Sequence, residues 1–248
     1  MSRAATRGRS PRTLALDIGG TGIKAAVLDP GGRLIAPRLR ELTPRPATPT
    51  AILGVVKRLV TEGPPFERVA VGFPGVIEKG TVYTAANLHP AWIGVNLARR
   101  MERLTGRPTR VANDADVQGM AVVQGTGVEL VLTLGTGVGS ALFLDGWLVP
   151  NLQLGHHPFR KGHTYEDVLG NAGLARSGKK VWNKRLRVAI ETLRNAFTFH
   201  RLYLGGGNAR LVAKPLPPGT RVVRNIAGVL GGIELWREPG TPPRRRPR

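Results

Sequence analysis

The chain has 248 residues, of which 41% are hydrophobic and 21% are charged, and this is enough apolar material for one large domain or two smaller ones. It contains no cysteine, which excludes disulfides and thiolate zinc sites, and no apolar run approaches the roughly 20 residues of a membrane span. The 37 lysines and arginines outnumber the 16 acidic residues, and the net charge of +21 favours a polyanionic partner: nucleic acid, an anionic membrane or polyphosphate.

Both ends of the chain are rich in arginine. Residues 1–12 lack the apolar segment that a secretory signal needs, and residues 239–248 end in PPRRRPR. We predict that both tails are disordered, because arginine-rich segments with few apolar residues stay solvated. Together with the absence of cysteine, which fits a reducing compartment, these features predict a cytoplasmic protein.

Ordered structure is predicted to begin near Thr13. TLALDI, AAVLD and RLIAP predict three strands, with a glycine turn between the first two. A helix follows, with Thr48 as its N-cap and Pro49 as its first residue. The apolar face of that helix is predicted to be Ile52, Val55, Val56 and Leu59. RVAVGF predicts a buried strand, residues 96–105 a helix, and TRVAND the next strand.

The second half of the chain contains two more glycine turns. ELVLTL and SALFLD predict strands that flank the turn GTGVG, and RLYLGGGN predicts a strand that enters a third turn. Between them, one helix carries its apolar residues on one face: Leu186, Ile190, Leu193 and Phe197. AGVLGGIELW predicts a last helix.

One segment is repeated. LALDIGGTGIKAAVLD (residues 14–29) aligns without a gap with LVLTLGTGVGSALFLD (residues 130–145), at an offset of 116 positions. Two glycine hairpins can look alike by chance, because short apolar strands are common. A duplicated unit is the favoured interpretation, and it predicts two half-domains whose turns face each other across a cleft and grip a chain of phosphates.

The glycine turns predict anion binding. A glycine turn concentrates backbone N–H groups, and no side chain blocks the approach of a phosphate. The spacing is not that of Walker A, and it is not the Rossmann fingerprint, because the first turn leads into a strand. Asp17 beside the first turn either ends a strand or holds Mg²⁺ through water next to phosphate.

Two other polar clusters are candidates for chemistry. In VANDADVQG, Asp116 is favoured as a helix cap, whereas Asp114 is a candidate base for a substrate hydroxyl. A second segment holds His156, His157 and His163, whose spacing matches no zinc pattern. Hydrogen bonding of these histidines to a polar ligand, with Gln153 and Glu166 nearby, is therefore favoured over metal binding.

Taken together, these residues resemble the ROK family of sugar kinases and, within it, the polyphosphate glucokinases. DIGGTGIK is similar to the first phosphate motif of that family, and LTLGTGVGSALFLDG is similar to the second. FPGV, AANL and NDAD are similar to its sugar-site segments, and LGHHPFRKG, TYEDVLGNA and LYLGGGNA continue the match in the same order. The likeness covers the chain between the two tails.

The resemblance implies an α/β fold of the actin-like (RNase-H-like) type, duplicated, with two domains around a cleft. On this basis residues 13–110 form the N-terminal domain, completed by a helix over residues 226–238. Residues 111–225 form the C-terminal domain, which contains the catalytic aspartate, the second phosphate motif and the third glycine turn.

The resemblance also implies phosphoryl transfer to the 6-hydroxyl of glucose, with Asp114 as the general base, Mg²⁺ at Asp17, and polyphosphate or ATP as the donor. The implied sugar ligands are Gly75, Asn87, Asn113, Gln153, His156 and Glu166. The implied donor-phosphate contacts are Gly19, Gly20, Thr21, Lys24, Gly135, Thr136, Gly137, Gly205, Gly206 and Gly207. The last three match the turn that lies near the nucleoside when ATP is the donor.

The chain departs from the family pattern in two places. The cysteine-rich zinc motif of the broader family is missing, as expected of the polyphosphate branch. The family pattern Glu-x-Gly-His is Gln153-Leu154-Gly155-His156 in this chain. A glutamine loses a charge-assisted hydrogen bond to a sugar hydroxyl, so we expect weaker glucose affinity or a shifted sugar preference, with phosphoryl transfer retained.

Charge suggests the donor. Residues 160–210 contain eleven lysines and arginines against three acidic residues, and a phosphate polymer needs such a track of cations. Polyphosphate is therefore the favoured donor, with ATP as an alternative; a generally arginine-rich surface is the other explanation of the charge.

Rival functions are an ATP-dependent hexokinase of other sugar preference, a degenerate sugar-binding protein and a ROK regulator. The regulator needs a DNA-binding module, for which the dozen residues before the first strand are too few. The predicted partners are glucose and polyphosphate, without a specific nucleic acid or a membrane, and a homodimer is one option for the assembly.

Overall fold

The computed structural model describes residues 11–85, 87–223 and 227–237. Its strands are β1 (Thr13–Ile18), β2 (Gly22–Leu28), β3 (Leu39–Leu42), β4 (Arg68–Phe73), β5 (Ile77–Glu78), β6 (Thr81–Val82), β7 (Thr109–Asn113), β8 (Val128–Leu134), β9 (Val138–Leu144), β10 (Trp147–Val149), β11 (Pro158–Arg160), β12 (His163–Thr164), β13 (Arg201–Gly205) and β14 (Thr220–Val222). Its α-helices are α1 (Pro49–Glu62), α2 (Leu97–Thr105), α3 (Asp114–Met120), α4 (Tyr165–Leu169), α5 (Asn171–Phe197) and α6 (Ala227–Leu230). Short 3₁₀ helices cover Pro90–Trp92, Leu154–His156, Gly207–Leu211 and Gly231–Trp236.

Two five-stranded sheets with the same topology organise the described residues. The strand order is β3-β2-β1-β4-β7 in the first sheet and β10-β9-β8-β13-β14 in the second. In each sheet the first three strands in this order are antiparallel, and the last two run parallel to the central strand. The matching topologies confirm the predicted duplicated α/β fold.

The internal repeat forms the central hairpin of each sheet. Ile18 pairs with Ile23 in the first hairpin, whereas Leu134 pairs with Val138 in the second. The first turn therefore has one residue more between its paired positions than the second turn. In the gapless alignment, β1 matches β8 residue for residue. Each residue of β2, however, is matched with the β9 residue one position beyond its structural equivalent.

Each sheet has its own hydrophobic core. As predicted, the Thr48 side chain caps α1, accepting a hydrogen bond from Ala51 N–H at 3.3 Å, and Pro49 begins the helix. The predicted apolar face of α1 is buried in the first core. In the second core Trp182 of α5 is fully buried, and its indole N–H donates to the carbonyl of Leu169 at 2.9 Å.

Helix α3 joins the two halves. It follows β7 directly and packs against β4 of the first sheet and against β8 and β9 of the second. Helix α6 and the last 3₁₀ helix pack against α3 and against β1. The first residue of α3 is Asp114, so the helix presents the candidate base between the two sheets.

Two predicted elements need correction. The third strand is β3, not RLIAP: Leu34 and Ile35 are 40% and 41% exposed, and Leu34 makes only an isolated bridge to Leu28. The helix predicted over residues 226–238 is, in its described part, the short α6 followed by a 3₁₀ helix. Glycine disfavours a helix interior, and the chain here lies so close to α3 that a Cβ on Gly231 would be 1.8 Å from the Val117 carbonyl oxygen.

The structure also bears on the predicted domain limits. The boundary between residues 110 and 111 cuts through β7, which pairs with β4, so the first sheet extends to Asn113. Arg12, assigned to the N-terminal tail, pairs with Glu67 at 2.7 Å. Residues 1–10 and 238–248 lie outside the described residues, and the domain limits and disordered tails stay predictions. None of the described helices is long and apolar enough to span a membrane.

Two helical glycines offer a matched test of this packing. A Cβ on Gly119 of α3 would lie 2.4 Å from Cε2 of Phe143 in β9, whereas a Cβ on Gly54 of α1 would meet no atom within 4 Å. We expect Gly119→Ala to lower the free energy of unfolding by about 1–3 kcal/mol through overpacking. Gly54→Ala should raise it by about 0.5–1 kcal/mol. Urea unfolding measures both changes, and equal effects would contradict the close packing of α3 on the second sheet.

Candidate active site

A cleft of about 410 Å³ opens between the two sheets, and residues of both sheets line it. It brings together every predicted site residue except Gly205. The lining residues that the sequence predicted are Asp17, Gly19, Gly20, Thr21, Lys24, Gly75, Asn87, Asn113, Asp114, Gly135, Thr136, Gly137, Gln153, His156, Glu166, Gly206 and Gly207.

Gly205 needs correction as a phosphate contact. It is the buried last residue of β13 and pairs with Thr133 of β8, so its backbone belongs to the sheet. The third turn begins at Gly206, which has a φ of 83° and lies so close to β8 that a Cβ would be 2.3 Å from the Leu134 carbonyl oxygen. Only glycine fits this position.

The first glycine turn is held from the side of β3. Gly19 N–H donates to the carbonyl of Gly22 at 3.0 Å. The Thr43 hydroxyl donates to the carbonyl of Gly19 at 2.5 Å, and Nη2 of Arg45 donates to the carbonyl of Gly20 at 2.9 Å. These bonds fix the carbonyl groups of the turn and occupy the N–H of Gly19, which leaves the N–H groups of Gly20 and Thr21 as the candidate anion donors.

Asp17 and Lys24 lie side by side at the base of the first turn. Asp17 of β1 is 6% exposed, and its Oδ2 accepts a hydrogen bond from Nζ of Lys24 in β2 at 2.7 Å. The predicted metal ligand and the predicted phosphate contact are therefore paired with each other. Their separate roles toward Mg²⁺ and phosphate stay predictions.

The second glycine turn is supported by residues that the sequence prediction missed. Gly135 N–H donates to Gly137 carbonyl at 3.0 Å, and Asn171 N–H at the start of α5 donates to the Gly135 carbonyl at 2.9 Å. Asn208 of the third turn donates through Nδ2 to Oδ1 of Asn171 at 2.7 Å. The tripeptide Gly-Asn-Ala occurs at both asparagines, and that repetition was a signal in the sequence.

Asp114 is presented to the cleft by the helix cap before it. Asn113 is the N-cap of α3: its Oδ1 accepts from Ala115 N–H at 2.8 Å, and its Nδ2 donates to the Gly75 carbonyl at 3.0 Å. Burial raises the pKa of Asp114 to about 7, and the negative charge of Asp17 adds to the shift. Asn113, predicted as a sugar ligand, thus has both ends of its amide in hydrogen bonds that position Asp114 and Gly75.

Asp116 does not line the cleft. Its side chain is 2% exposed, Oδ1 has no hydrogen-bond partner among the described residues, and Oδ2 accepts from Asn151 N–H at 3.5 Å. Burial raises the pKa of Asp116 to about 7. Asn151 in turn hydrogen-bonds both backbone groups of Ile77, so Asp116 lies beneath a contact between the two halves.

The predicted sugar residues Asn87 and Glu166 meet at the second glycine turn. A Cβ on Gly137 would lie 2.1 Å from Oε2 of Glu166 and 3.2 Å from Nδ2 of Asn87. Val138 N–H donates to Oε2 of Glu166 at 3.1 Å, which fixes that carboxylate at the turn. Asn87 also lies against the first turn, since a Cβ on Gly20 would be 3.3 Å from its carbonyl oxygen.

Gln153 and His156 line the cleft beside these two residues. Ser140 of β9 holds their loop: its hydroxyl donates to the Leu152 carbonyl at 2.7 Å and accepts from Leu154 N–H at 3.0 Å. The other histidines of the segment, residues 157 and 163, do not line the cleft.

Two arginines in the cleft wall were not predicted. Arg38 and Arg40, from the segment that forms β3, line the cleft, whereas none of the eleven lysines and arginines between residues 160 and 210 does. The basic stretch lies largely along α5, outside the cleft. The interpretation of that stretch as the donor track is therefore not supported by its position, and the cations that face the cleft are Lys24, Arg38 and Arg40.

The carboxylates present fit a Mg²⁺ ion that is bound mainly by its substrate. Among the described residues, no group of three or more His, Asp or Glu side chains could hold a metal ion by itself. Mg²⁺ keeps several waters and usually takes one or two carboxylates plus phosphate oxygens. Asp17, beside the first turn, can supply such a carboxylate.

Comparison with known proteins decides the family. The model of the ROK family matches residues 13–174. A curated polyphosphate glucokinase from Mycobacterium tuberculosis (strain CDC 1551 / Oshkosh) is 32% identical in an alignment that covers 87% of this chain and 88% of that protein. The chain belongs to the ROK family. The resemblance inferred from the motifs is confirmed.

Two solved structures support the predicted fold. The inorganic polyphosphate/ATP-glucomannokinase from Arthrobacter sp. strain KM has a TM-score of 0.83 at 33% identity, over 90% of this chain and 98% of that chain. A ROK family glucokinase from Streptomyces griseus, in complex with glucose and AMPPNP, has a TM-score of 0.74 at 21% identity over the same shares. At the lower identity the likeness concerns the fold alone, and both confirm the predicted actin-like fold.

Asp116 predicts a pH-dependent difference in stability. Its pKa is about 7 in the folded chain but near 3.9 when unfolded, so between about pH 4 and pH 7 only the folded state keeps the proton and stability falls as pH rises. Asn carries no charge, so Asp116→Asn should melt at a higher temperature than wild type at pH 8, with the difference vanishing near pH 4. Thermal melts across this range test it; a pH-independent difference would contradict the raised pKa.

Proposed function

We propose that the protein transfers the terminal phosphoryl group of inorganic polyphosphate to the 6-hydroxyl of glucose, with ATP as a second donor. The position of Asp114 carries this proposal: a carboxyl with a pKa of about 7 in a cleft lined by two glycine turns and by a cluster of polar side chains. The similarity to a polyphosphate glucokinase and to a polyphosphate/ATP-glucomannokinase supports both the sugar and the donor.

Asp114 acts as the general base in the proposed reaction. It accepts the proton of the 6-hydroxyl while that oxygen attacks the terminal phosphorus. The bond between this phosphorus and the bridging oxygen breaks, and the polymer leaves one phosphate shorter with the electron pair. A pKa near the working pH suits the base, because it is ionised in part yet still binds a proton well.

The sugar is held opposite the second turn. Glu166 and Asn87 contact Gly137, so hydroxyl groups bound by these side chains lie next to the proposed phosphate site. Gln153 and His156 line the same part of the cleft, and Asn113 keeps Asp114 at the start of α3. This arrangement orients the attacking hydroxyl, which is a large part of catalysis in phosphoryl transfer.

The donor phosphates are held by the backbone N–H groups of the first two turns and by Lys24. Mg²⁺, bound beside Asp17, would neutralise charge on the phosphate oxygens. Asp17 would hold the ion through water, and Lys24, whose Nζ lies 2.7 Å from Oδ2 of Asp17, would contact the phosphate.

Two alternatives share the fold. An ATP-dependent hexokinase of other sugar preference uses the same Asp114 and turns, and a sugar-binding protein needs neither. The intact carboxylates and turns favour an enzyme. Cytoplasmic location and a homodimer stay predictions, and the proposal needs no nucleic acid or membrane.

Asp114→Asn tests the proposal directly. With Mg²⁺ and glucose, wild type should form glucose 6-phosphate from polyphosphate and from ATP, and the variant should lose about 10²–10⁴-fold in kcat because it lacks the base. A coupled assay with both donors, repeated with mannose and N-acetylmannosamine, measures donor and sugar preference.

Asp116→Asn is the matched control, because it removes a carboxyl from the same helix outside the cleft and should keep the wild-type kcat. Wild-type activity should rise with pH through about 7 as Asp114 ionises. Full activity of Asp114→Asn would overturn the base assignment, and inactivity of wild type with every donor and hexose would favour a sugar-binding protein.

Gln153→Glu tests the departure from the family pattern. A carboxylate at this position makes a charge-assisted hydrogen bond to a sugar hydroxyl that is roughly twice as strong as that of the amide. We expect the KM for glucose to fall by about fivefold with kcat little changed, whereas Gln153→Met should raise KM. Steady-state kinetics at saturating donor measures both; an unchanged KM in Gln153→Glu would show that residue 153 does not contact glucose.

A further inference from the structure

The cations of the cleft form a row across the first sheet. Asp17 of β1 pairs in register with Lys24 of β2, and Lys24 pairs in register with Arg40 of β3. Residues in register on neighbouring strands share one face of a sheet, so the three side chains lie in line from the centre of the sheet to its edge. Arg38, two residues before Arg40, lines the same cleft.

The side chain of Arg40 lies against the first glycine turn. A Cβ on Gly22 would be 3.2 Å from Nε and 3.5 Å from Nη2 of Arg40. Because Gly22 has no side chain, the guanidinium of Arg40 lies close to the backbone beside the turn, where a Cβ would crowd it. A cation held there adds to the N–H groups of the turn on the donor side of the cleft.

Neither arginine is paired with a carboxylate of the described part of the chain. Among the described residues, no carboxylate lies within 4.0 Å of the guanidinium of Arg38 or Arg40. Glu41, the residue between Arg40 and the end of β3, points to the other side of the strand and pairs with Arg58 of α1. Both arginines are exposed, so their charge is available to an anion in the cleft.

The row leads away from the third glycine turn. Gly206 and Asn208 follow β13 of the second sheet, whereas Arg38 and Arg40 lie at the β3 edge of the first sheet. Neighbouring strands are about 4.8 Å apart, so the row from β1 to β3 spans about 10 Å, more than one phosphoryl group. When ATP binds with its nucleoside at the third turn, the arginines of the row have no phosphate to contact. A polyphosphate chain is long enough to extend along the row.

We propose that Lys24, Arg40 and Arg38 form a subsite for the non-transferred phosphates of a polyphosphate chain, and that Arg38 and Arg40 set the preference for polymer over nucleotide. This inference rests on the proposed function, because it assumes that the transferred phosphoryl group lies between the two glycine turns. Lys24 contacts both ATP and polyphosphate, because it lies at the base of the first turn. Arg38 and Arg40 contact only polyphosphate.

The test is a double variant, Arg38→Ala with Arg40→Ala, in the full chain with Mg²⁺ and glucose. We expect the KM for long-chain polyphosphate to rise about tenfold or more, because two charge-assisted contacts are lost, and the KM for ATP to change less than twofold. The dependence of log kcat/KM on log salt should become shallower by about two units with the polymer and stay unchanged with ATP.

Lys180→Ala with Lys184→Ala is the matched control, because it removes the same charge from the exposed face of α5, outside the cleft. It should leave both KM values unchanged. An equal rise in KM for both donors, no change in the arginine variant, or the same change in the lysine variant would each overturn the subsite.

Fluorescence anisotropy with labelled polyphosphate measures binding without turnover and should show the same loss in the arginine variant. If wild type uses only ATP, the polyphosphate proposal fails, and the subsite fails with it. If wild type uses polyphosphate and the arginine variant is indifferent, the subsite fails alone.

Discussion

The site depends on how closely two parts of the chain approach Gly137. The carboxylate of Glu166 and the amide of Asn87 occupy the space that a side chain at this position would fill, at 2.1 Å and 3.2 Å from its Cβ. Asn87 comes from the first half of the chain, and Glu166 from the second. A turn without a side chain therefore lets the proposed sugar ligands lie next to the proposed phosphate-binding N–H groups, as the proposed transfer between a hydroxyl and a phosphoryl group requires.

Electrostatics divides this cleft into two environments. Asp114 is buried near Asp17, and both effects hold its pKa at about 7, as a base for a sugar hydroxyl requires. A few strands away, Lys24 and the arginines of the β3 segment make the other wall cationic. The net charge of +21 attracts polyanions to the protein as a whole, but among the lysines and arginines of the described residues only these line the cleft in which the donor phosphates are proposed to bind.

The sequence correctly predicted elements whose limits depend on neighbouring residues, such as helix caps. Asn96 caps α2 and Gly106 ends it with a φ of 66°, as the predicted helix over residues 96–105 requires. The third strand was predicted at the wrong place because strand pairing, and not local hydrophobicity, determines it. The strand β3 pairs with β2, with Lys24 opposite Arg40, and the apolar run around Leu34 does not form it. For the same reason a count of basic residues could not locate the cationic wall, because the charges along α5 point outward.

The two copies of the hairpin differ at the position beside their turns. In the first, Lys24 lies opposite Asp17; in the second, the shorter turn places Gly139 opposite Thr133. A Cβ on Gly139 would be 2.4 Å from the Thr133 hydroxyl and 3.0 Å from Cβ of Ala115, so a side chain there would be crowded. The charged pair beside the turn thus belongs to the first hairpin alone, whereas Ser140 of the second hairpin points to the other face and holds the loop of Gln153. A difference of one residue in the turn therefore accompanies two different environments: the first hairpin places a charged pair at the cleft, and the second supports the loop of the proposed sugar ligand Gln153.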